Sequence, residues 1–67
     1  MSNPKIARKE RRVAARKRQI IEAALKVFLE KGFNHATTKE IAEAADIAEG
    51  TIYNYFKNKG DLLLEMI

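Results

Sequence analysis

The sequence predicts an all-α fold, and three observations carry that expectation. Apolar residues recur at helical spacing, while no segment shows the apolar–polar alternation of a half-buried strand. Residues that stop and start helices punctuate the chain at Gly32, Thr37, Asp46 and Asn58. Finally, 46% hydrophobic residues in 67 give enough apolar surface for one small core, and 33% charged residues leave no stretch apolar enough to cross a membrane.

The first helix is expected from Lys5 to Lys31, a run without proline or glycine, with its N-terminal part frayed. Its buried face is read as Ile21, Ala24, Leu25 and Phe28, the i, i+3, i+4, i+7 spacing of an amphipathic helix, widened by Ile20 and Val27. Lys31 followed by Gly32 is a stop signal, since a base favours the C-terminal dipole and glycine accepts the left-handed backbone that ends helices; Phe33 then folds back on the last turn.

A second helix opens at Thr37-Thr38, where Thr37 and Glu40 have capping-box spacing. Ile41, Ala42 and Ala45 share one side of it, and Asp46 breaks it. A third helix is expected from Glu49 to Phe56, with Ile52 and Phe56 on its buried side. Asn58 caps a fourth, whose apolar side is Leu62, Leu63 and Met66.

Charge is unevenly distributed. Residues 1–18 carry eight bases against Glu10 alone, net +7, whereas residues 19–67 carry five bases and eight acids, net −3. The expected organisation is therefore a basic arm or helix extension over residues 1–17 and a folded domain over 18–67. Such an arm suits a polyanionic partner. The chain has no cysteine, and its one histidine, His35, sits in an interhelical loop and is expected to be exposed, so neither a metal site nor a cofactor is implied. No nucleophile–base pair or carboxylate cluster can be assembled, so no catalytic residue is assigned and an enzyme is not expected. A cytoplasmic protein without a membrane partner fits this composition.

Two short helices joined by a tight turn and packed on a longer one make a helix-turn-helix, in which the second short helix enters the DNA major groove. Thr51 offers a hydroxyl and a methyl to base edges, and Asn54 a paired donor and acceptor. Tyr53 and Tyr55 carry hydroxyls on rigid arms suited to phosphate oxygens. Lys59 at the start of the fourth helix, with Thr38 and Lys39 at the start of the second, can hold phosphates through charge and free backbone amides.

The runs Thr37-Thr38-Lys39-Glu40-Ile41-Ala42 and Gly50-Thr51-Ile52-Tyr53-Asn54-Tyr55-Phe56-Lys57-Asn58-Lys59, followed by Leu62-Leu63, resemble the head-domain signature of TetR-type regulators, and Ala23, Ala24, Phe28 and Gly32-Phe33 extend the similarity. The resemblance implies an all-α, homeodomain-like three-helix helix-turn-helix domain with the start of a fourth helix. It implies DNA contacts by Thr38, Lys39, Gly50, Thr51, Tyr53, Asn54, Tyr55 and Lys59, with Ile41, Ala42, Ile52 and Phe56 in the core. It further implies a repressor that is a homodimer on a palindromic double-stranded operator. A small effector would bind a separate C-terminal domain, and the head alone would be a monomer.

Four positions depart from the pattern. Asp46 stands where glycine is common, Ala48 where serine would cap the recognition helix, Glu49 where Lys, Arg or Gln is frequent, and Gly60 where an acid is usual. Glu49 is read as favouring the helix N-terminus through the dipole, with acceptance of a cytosine amine as the alternative. Gly60 is expected to weaken the start of the fourth helix by up to ~1 kcal/mol relative to alanine.

The rival reading is a helical protein-interaction module with a nonspecific basic arm, carried by Leu62, Leu63 and Met66. An RNA or membrane-surface binder is disfavoured, because residues 5–18 lack aromatic stacking groups and large apolar anchors.

Overall fold

The computed structural model describes residues 4–67, with side chains from Lys9 onward, so the arm residues Lys5 and Arg8 lie outside the described side chains. In chain order the described residues form α1 (Pro4–Lys31), α2 (Thr38–Ala45), α3 (Glu49–Tyr53) and α4 (Lys59–Glu65), with no strand among them. None of these helices is long and apolar enough to cross a membrane.

One fully buried large side chain comes from each helix: Ile20, Ile41, Ile52 and Leu62. Ala23, Ala24, Val27, Ala36, Ala42, Ala45 and Phe56 complete the core. The small residues let α2 lie close against α1, and α3 and α4 then close on this pair.

The 28 residues of α1 correspond to a rod of about 42 Å at 1.5 Å per residue, nearly the 45 Å long axis of the molecule. Among the described side chains its core residues begin at Ile20, so the helix runs on beyond the core toward its N-terminus. The alanines, arginines and lysines there are strong helix formers, and Pro4 is tolerated in the first turn because its missing N–H has no intrahelical partner to lose.

The buried face of α1 differs from expectation by one position. Ile20, Ala23, Ala24 and Val27 are buried, Ile21 and Phe28 are half-buried, and Leu25 is 47% exposed. Both registers are apolar and both fit i, i+3, i+4, i+7; the side on which α2 packs decides between them. At the end of α1, Gly32 takes φ +81° and donates its amide to Phe28 O at 2.8 Å. Phe33 folds back as expected, its ring edge-on to Phe28 with centroids 5.3 Å apart.

Thr37 caps α2 by accepting from the Glu40 amide at 3.1 Å. The Glu40 carboxylate accepts from the Thr37 hydroxyl at 3.0 Å and pairs with Lys31, joining the end of α1 to the start of α2. That pairing holds the Glu40 carboxyl below its ordinary range, the Thr37 hydrogen bond adding to the effect of Lys31, and raises the Lys31 ammonium above its own. Asp46 ends α2 in the left-handed region at φ 58°, ψ 45°. Gln19, 26 residues away in sequence, donates to Ala45 O at 2.6 Å and so satisfies a carbonyl of the last turn of α2.

Helix α3 is shorter than expected, ending at Tyr53 instead of Phe56. The amides of Asn54 and Tyr55 reach back only three residues, to Thr51 O (3.2 Å) and Ile52 O (2.9 Å), so the chain tightens and turns toward α4. Phe56 is buried all the same. Asn58 caps α4 by accepting from the Asp61 amide at 3.0 Å, and Asp61 accepts from the Lys57 amide at 3.1 Å. A Cβ on Gly60 would stand 3.0 Å from Asn58 Oδ1, the capping atom, which gives this glycine a reason beyond its low helix propensity. Leu62 fills the core and Met66 is half-buried against it, whereas Leu63, expected on the apolar side, lies at the exposed margin.

Candidate nucleic-acid interface

The turn Asp46–Ala48 sets α3 against α2, burying Ile52 and leaving Glu49, Gly50 and Tyr53 exposed, with Thr51 half-buried beside them. Ala48 occupies the N-cap of α3 with extended backbone, φ −71° and ψ 145°, and supplies no side-chain hydrogen bond. At Gly50 a Cβ would meet nothing within 4 Å, so no packing inside the molecule demands glycine there.

A hydrogen-bonded chain crosses from α2 to α3. Thr38 Oγ1 lies 2.7 Å from Glu49 Oε2 and 2.8 Å from Tyr53 Oη. The carboxylate has no hydrogen to give, so Thr38 donates to Glu49, and with its single hydrogen spent it accepts from Tyr53. Sequence reasoning singled out all three residues but had no signal for this link, because it joins positions 11 and 15 apart in sequence.

Thr38, Tyr53 and Lys59 come together along one open groove of about 370 Å³, which is also lined by Asn34, Ala36, Thr37 and Asn58. The caps of both α2 and α4, Thr37 and Asn58, thus border the same space. Lys39 is exposed one residue further along α2, and Asn54 is exposed at the C-cap of α3. Tyr55 is placed differently: it is half-buried and packs against the core.

Lys59 is half-buried and its ammonium is engaged within the protein. It donates to Phe33 O at 2.6 Å, Ala36 O at 3.1 Å and Asn34 O at 3.3 Å, and stands 4.6 Å above the Phe33 ring. Three carbonyls of the α1–α2 loop thereby share one cation at the start of α4. His35, in the same loop, is exposed.

A sequence model of the family described as "Bacterial regulatory proteins, tetR family" matches residues 20–66, which is most of the chain and takes in the core-packed part of α1 together with all of α2, α3 and α4. The chain belongs to the TetR family. The matched region is the family's N-terminal DNA-binding helix-turn-helix domain. Similar proteins include the fatty acid metabolism regulator protein of Bacillus subtilis, 48% identical over 48 residues that make up 72% of this chain and 25% of the relative. The HTH-type transcriptional regulator AcrR of Shigella flexneri is 40% identical over 62 residues, 91% of this chain and 29% of the relative. An HTH-type transcriptional repressor of Mycobacterium tuberculosis is 33% identical over 94% of this chain and 33% of its own length. The chain thus spans about a quarter to a third of the length of these curated TetR-type relatives. Within the TetR-type head, the departures at Asp46, Ala48 and Glu49 fall on the turn and first turn of the recognition helix, where the Thr38–Glu49–Tyr53 chain is built.

Proposed function

We propose that this chain is the operator-reading head of a transcriptional repressor acting in the bacterial cytoplasm, with residues 18–67 as the reading domain and residues 1–17 as a basic extension. The observation that carries this reading is the juxtaposition of the exposed face of α3 with a groove bordered by two helix caps. The face offers Gly50, Thr51, Tyr53 and Asn54 to a major groove, and the adjoining cleft offers phosphates the N-terminal amides of α2 together with Thr38 and Lys39. Gly50 lets a DNA backbone or base edge approach without a Cβ in the way. Lys59 contributes positive field at the rim, its hydrogens being committed to the loop, and Tyr55 contributes mainly by bracing the end of α3 from the core side.

One head reads one half-site, so the full protein is assigned a homodimer on a palindromic operator, with a small effector bound by the part of the protein beyond this head changing the distance between the two heads. Alone, the head is a monomer in this reading. The rival, a helical protein-interaction module, draws its support from exposed Leu29, Leu64 and Ile67. It predicts duplex binding without sequence preference.

The test is selection of preferred sequences from a random duplex pool by two heads joined through a flexible linker. Enrichment of a paired half-site supports the proposal, with an affinity gain over the single head of roughly 10² to 10⁴ confined to duplexes carrying both half-sites. Recovery of random sequence, bound only through salt-sensitive charge, would leave the interaction reading in its place.

A further inference from the structure

The carboxylate of Glu49 sits where a DNA-binding surface is least expected to carry negative charge, and its partner is specific. Thr38 gives its only hydroxyl hydrogen to Glu49 Oε2 at 2.7 Å, and Tyr53 gives its hydrogen to Thr38 at 2.8 Å. Both hydroxyl hydrogens of this link therefore run toward the Glu49 carboxylate. Thr38 and Tyr53 are the two hydroxyls of the groove best placed to donate to a backbone phosphate, yet in this arrangement neither has a hydrogen left for one.

We propose that Glu49 is a positioning residue that acts as an internal stand-in for phosphate: it occupies the donors of Thr38 and Tyr53 in the free protein, so that a duplex must displace one anion from these hydroxyls to place another. The proposal rests on the DNA-binding reading above. Two consequences follow from the chemistry. Any duplex, whatever its sequence, binds more weakly than the same surface without the carboxylate. The loss depends on the hydroxyls and not on charge alone, because a bare negative charge at position 49 would repel phosphate equally whether or not Thr38 and Tyr53 could donate. Holding the Tyr53 ring through Thr38 also ties the first turn of α2 to the last residue of α3, which fixes the exposed face in one arrangement before DNA arrives.

The test is a mutant cycle on the 67-residue chain, read as affinity for a fluorescein-labelled duplex of about 20 bp of arbitrary sequence at low salt, where nonspecific binding is measurable. Glu49→Ala is expected to raise affinity about 3- to 10-fold in the parent, the size of one released hydrogen-bond competition. In a Thr38→Val/Tyr53→Phe background, which keeps the shapes and removes both hydroxyls, the same change is expected to give less than about half of that gain. Glu49→Gln keeps an acceptor for Thr38 without the charge, so its gain in the parent is expected to fall below that of Glu49→Ala. Thermal melts of each variant normalise the comparison to folded protein. Equal gains in both backgrounds, or equal gains from the alanine and glutamine variants, overturn the role of Glu49 and leave plain repulsion. Failure of the parent chain to bind any duplex at low salt overturns the DNA-binding reading itself, a different outcome from either.

Discussion

Lys59 Nζ stands 2.6 Å from the carbonyl oxygen of Phe33, across 26 residues of sequence, and the same ammonium also binds Ala36 O. The contact fastens the α1–α2 loop to the start of α4, and it changes what substitution of this lysine should do. Lys59→Met keeps the stem over the Phe33 ring and leaves three part-buried or exposed carbonyls without their donor. A loss of about 1 to 2 kcal/mol in stability is expected, in the range of charge-assisted hydrogen bonds. The slope of log affinity against log salt should change by much less than the ~0.9 of a neutralised phosphate. Denaturant melts and a salt titration check both; unchanged stability with a full unit of lost slope would show that the ammonium serves DNA instead.

The turn between α2 and α3 can be improved, which tests how it is built. Ala48 has the extended backbone of an N-cap but no oxygen to offer, so Ala48→Ser should stabilise the domain by about 1 kcal/mol. Asp46 holds a left-handed backbone at φ 58°, and Asp46→Gly should add up to about 1 kcal/mol by relieving it. The two sites are two residues apart, so the double variant is expected to fall short of additivity. Denaturation midpoints of the three variants decide the matter, and a neutral Ala48→Ser would mean that the amides of α3 are already satisfied.

Gly50 separates stability from binding. With nothing within 4 Å of its would-be Cβ, Gly50→Ala should stabilise α3 by roughly 0.5 to 1 kcal/mol through helix propensity. Duplex affinity should nevertheless fall, since the new methyl would lie on the face assigned to DNA. A variant that gains stability and keeps its affinity would remove Gly50 from the interface.

These variants also mark what the sequence makes legible. Helix ends were readable because caps are local: Thr37, Asn58, Gly32 and Asp46 all act within a few residues of themselves, and each occupies its anticipated place. The buried face of α1 was ambiguous because Ile20–Val27 and Ile21–Phe28 are two equally apolar registers one step apart, and only the packing of α2 separates them. The end of α3 was misplaced for a related reason: Ile52 and Phe56 are both buried at a spacing of four, but the second is reached through a tightened turn instead of helix. Of the eight site residues, Thr38, Tyr53 and Lys59 line one groove. Their internal partners, Glu49 and the loop carbonyls, depend on contacts 11 to 26 residues apart that no local pattern records.

The ion pair between Lys31 and Glu40 predicts a pH dependence with a definite sign. Glu40 is held below its ordinary range by Lys31 and Thr37, so its contribution is present above the unfolded carboxyl value and is lost as pH falls through the depressed folded one. Lys31 is raised by Glu40, so its share is present below the unfolded ammonium value and is lost as pH rises through the folded one. The difference in melting temperature between the parent and Glu40→Gln should therefore be flat across neutral pH and shrink toward zero at both extremes. Because the pair is solvent-accessible, added salt should shrink it as well. A difference that persists well below the carboxylate range would assign the effect to the uncharged Thr37 contact.

The N-terminal half of α1 carries the strongest prediction about charge, because it is helical yet none of its described side chains from Lys9 to Gln19 belongs to the core. Lys9, Arg11 and Arg12 are exposed along it, and Lys17 marks its junction with the domain, its ammonium 6.0 Å from the Phe56 ring centroid. An isolated helix of this length is marginal in water, so the extension is held by continuity with the packed half and by its alanine, arginine and lysine content. Deleting residues 1–15 removes five bases and Glu10 while leaving Lys17 and every core residue in place. The melting temperature should therefore change little. Affinity for duplex DNA should fall, and its salt slope should drop by about 0.9 for each removed base that neutralises a phosphate, whereas the ranking of preferred sequences should survive, since phosphate contacts carry no base information. A second variant, with Arg11 and Arg12 both changed to Gln in the 67-residue chain, distinguishes loss of charge from loss of helix: it should reproduce part of the slope change with helicity by circular dichroism intact. If the deletion leaves affinity and salt slope as they were, the extension takes no part in DNA binding; if it reorders the preferred sequences, the extension reads bases.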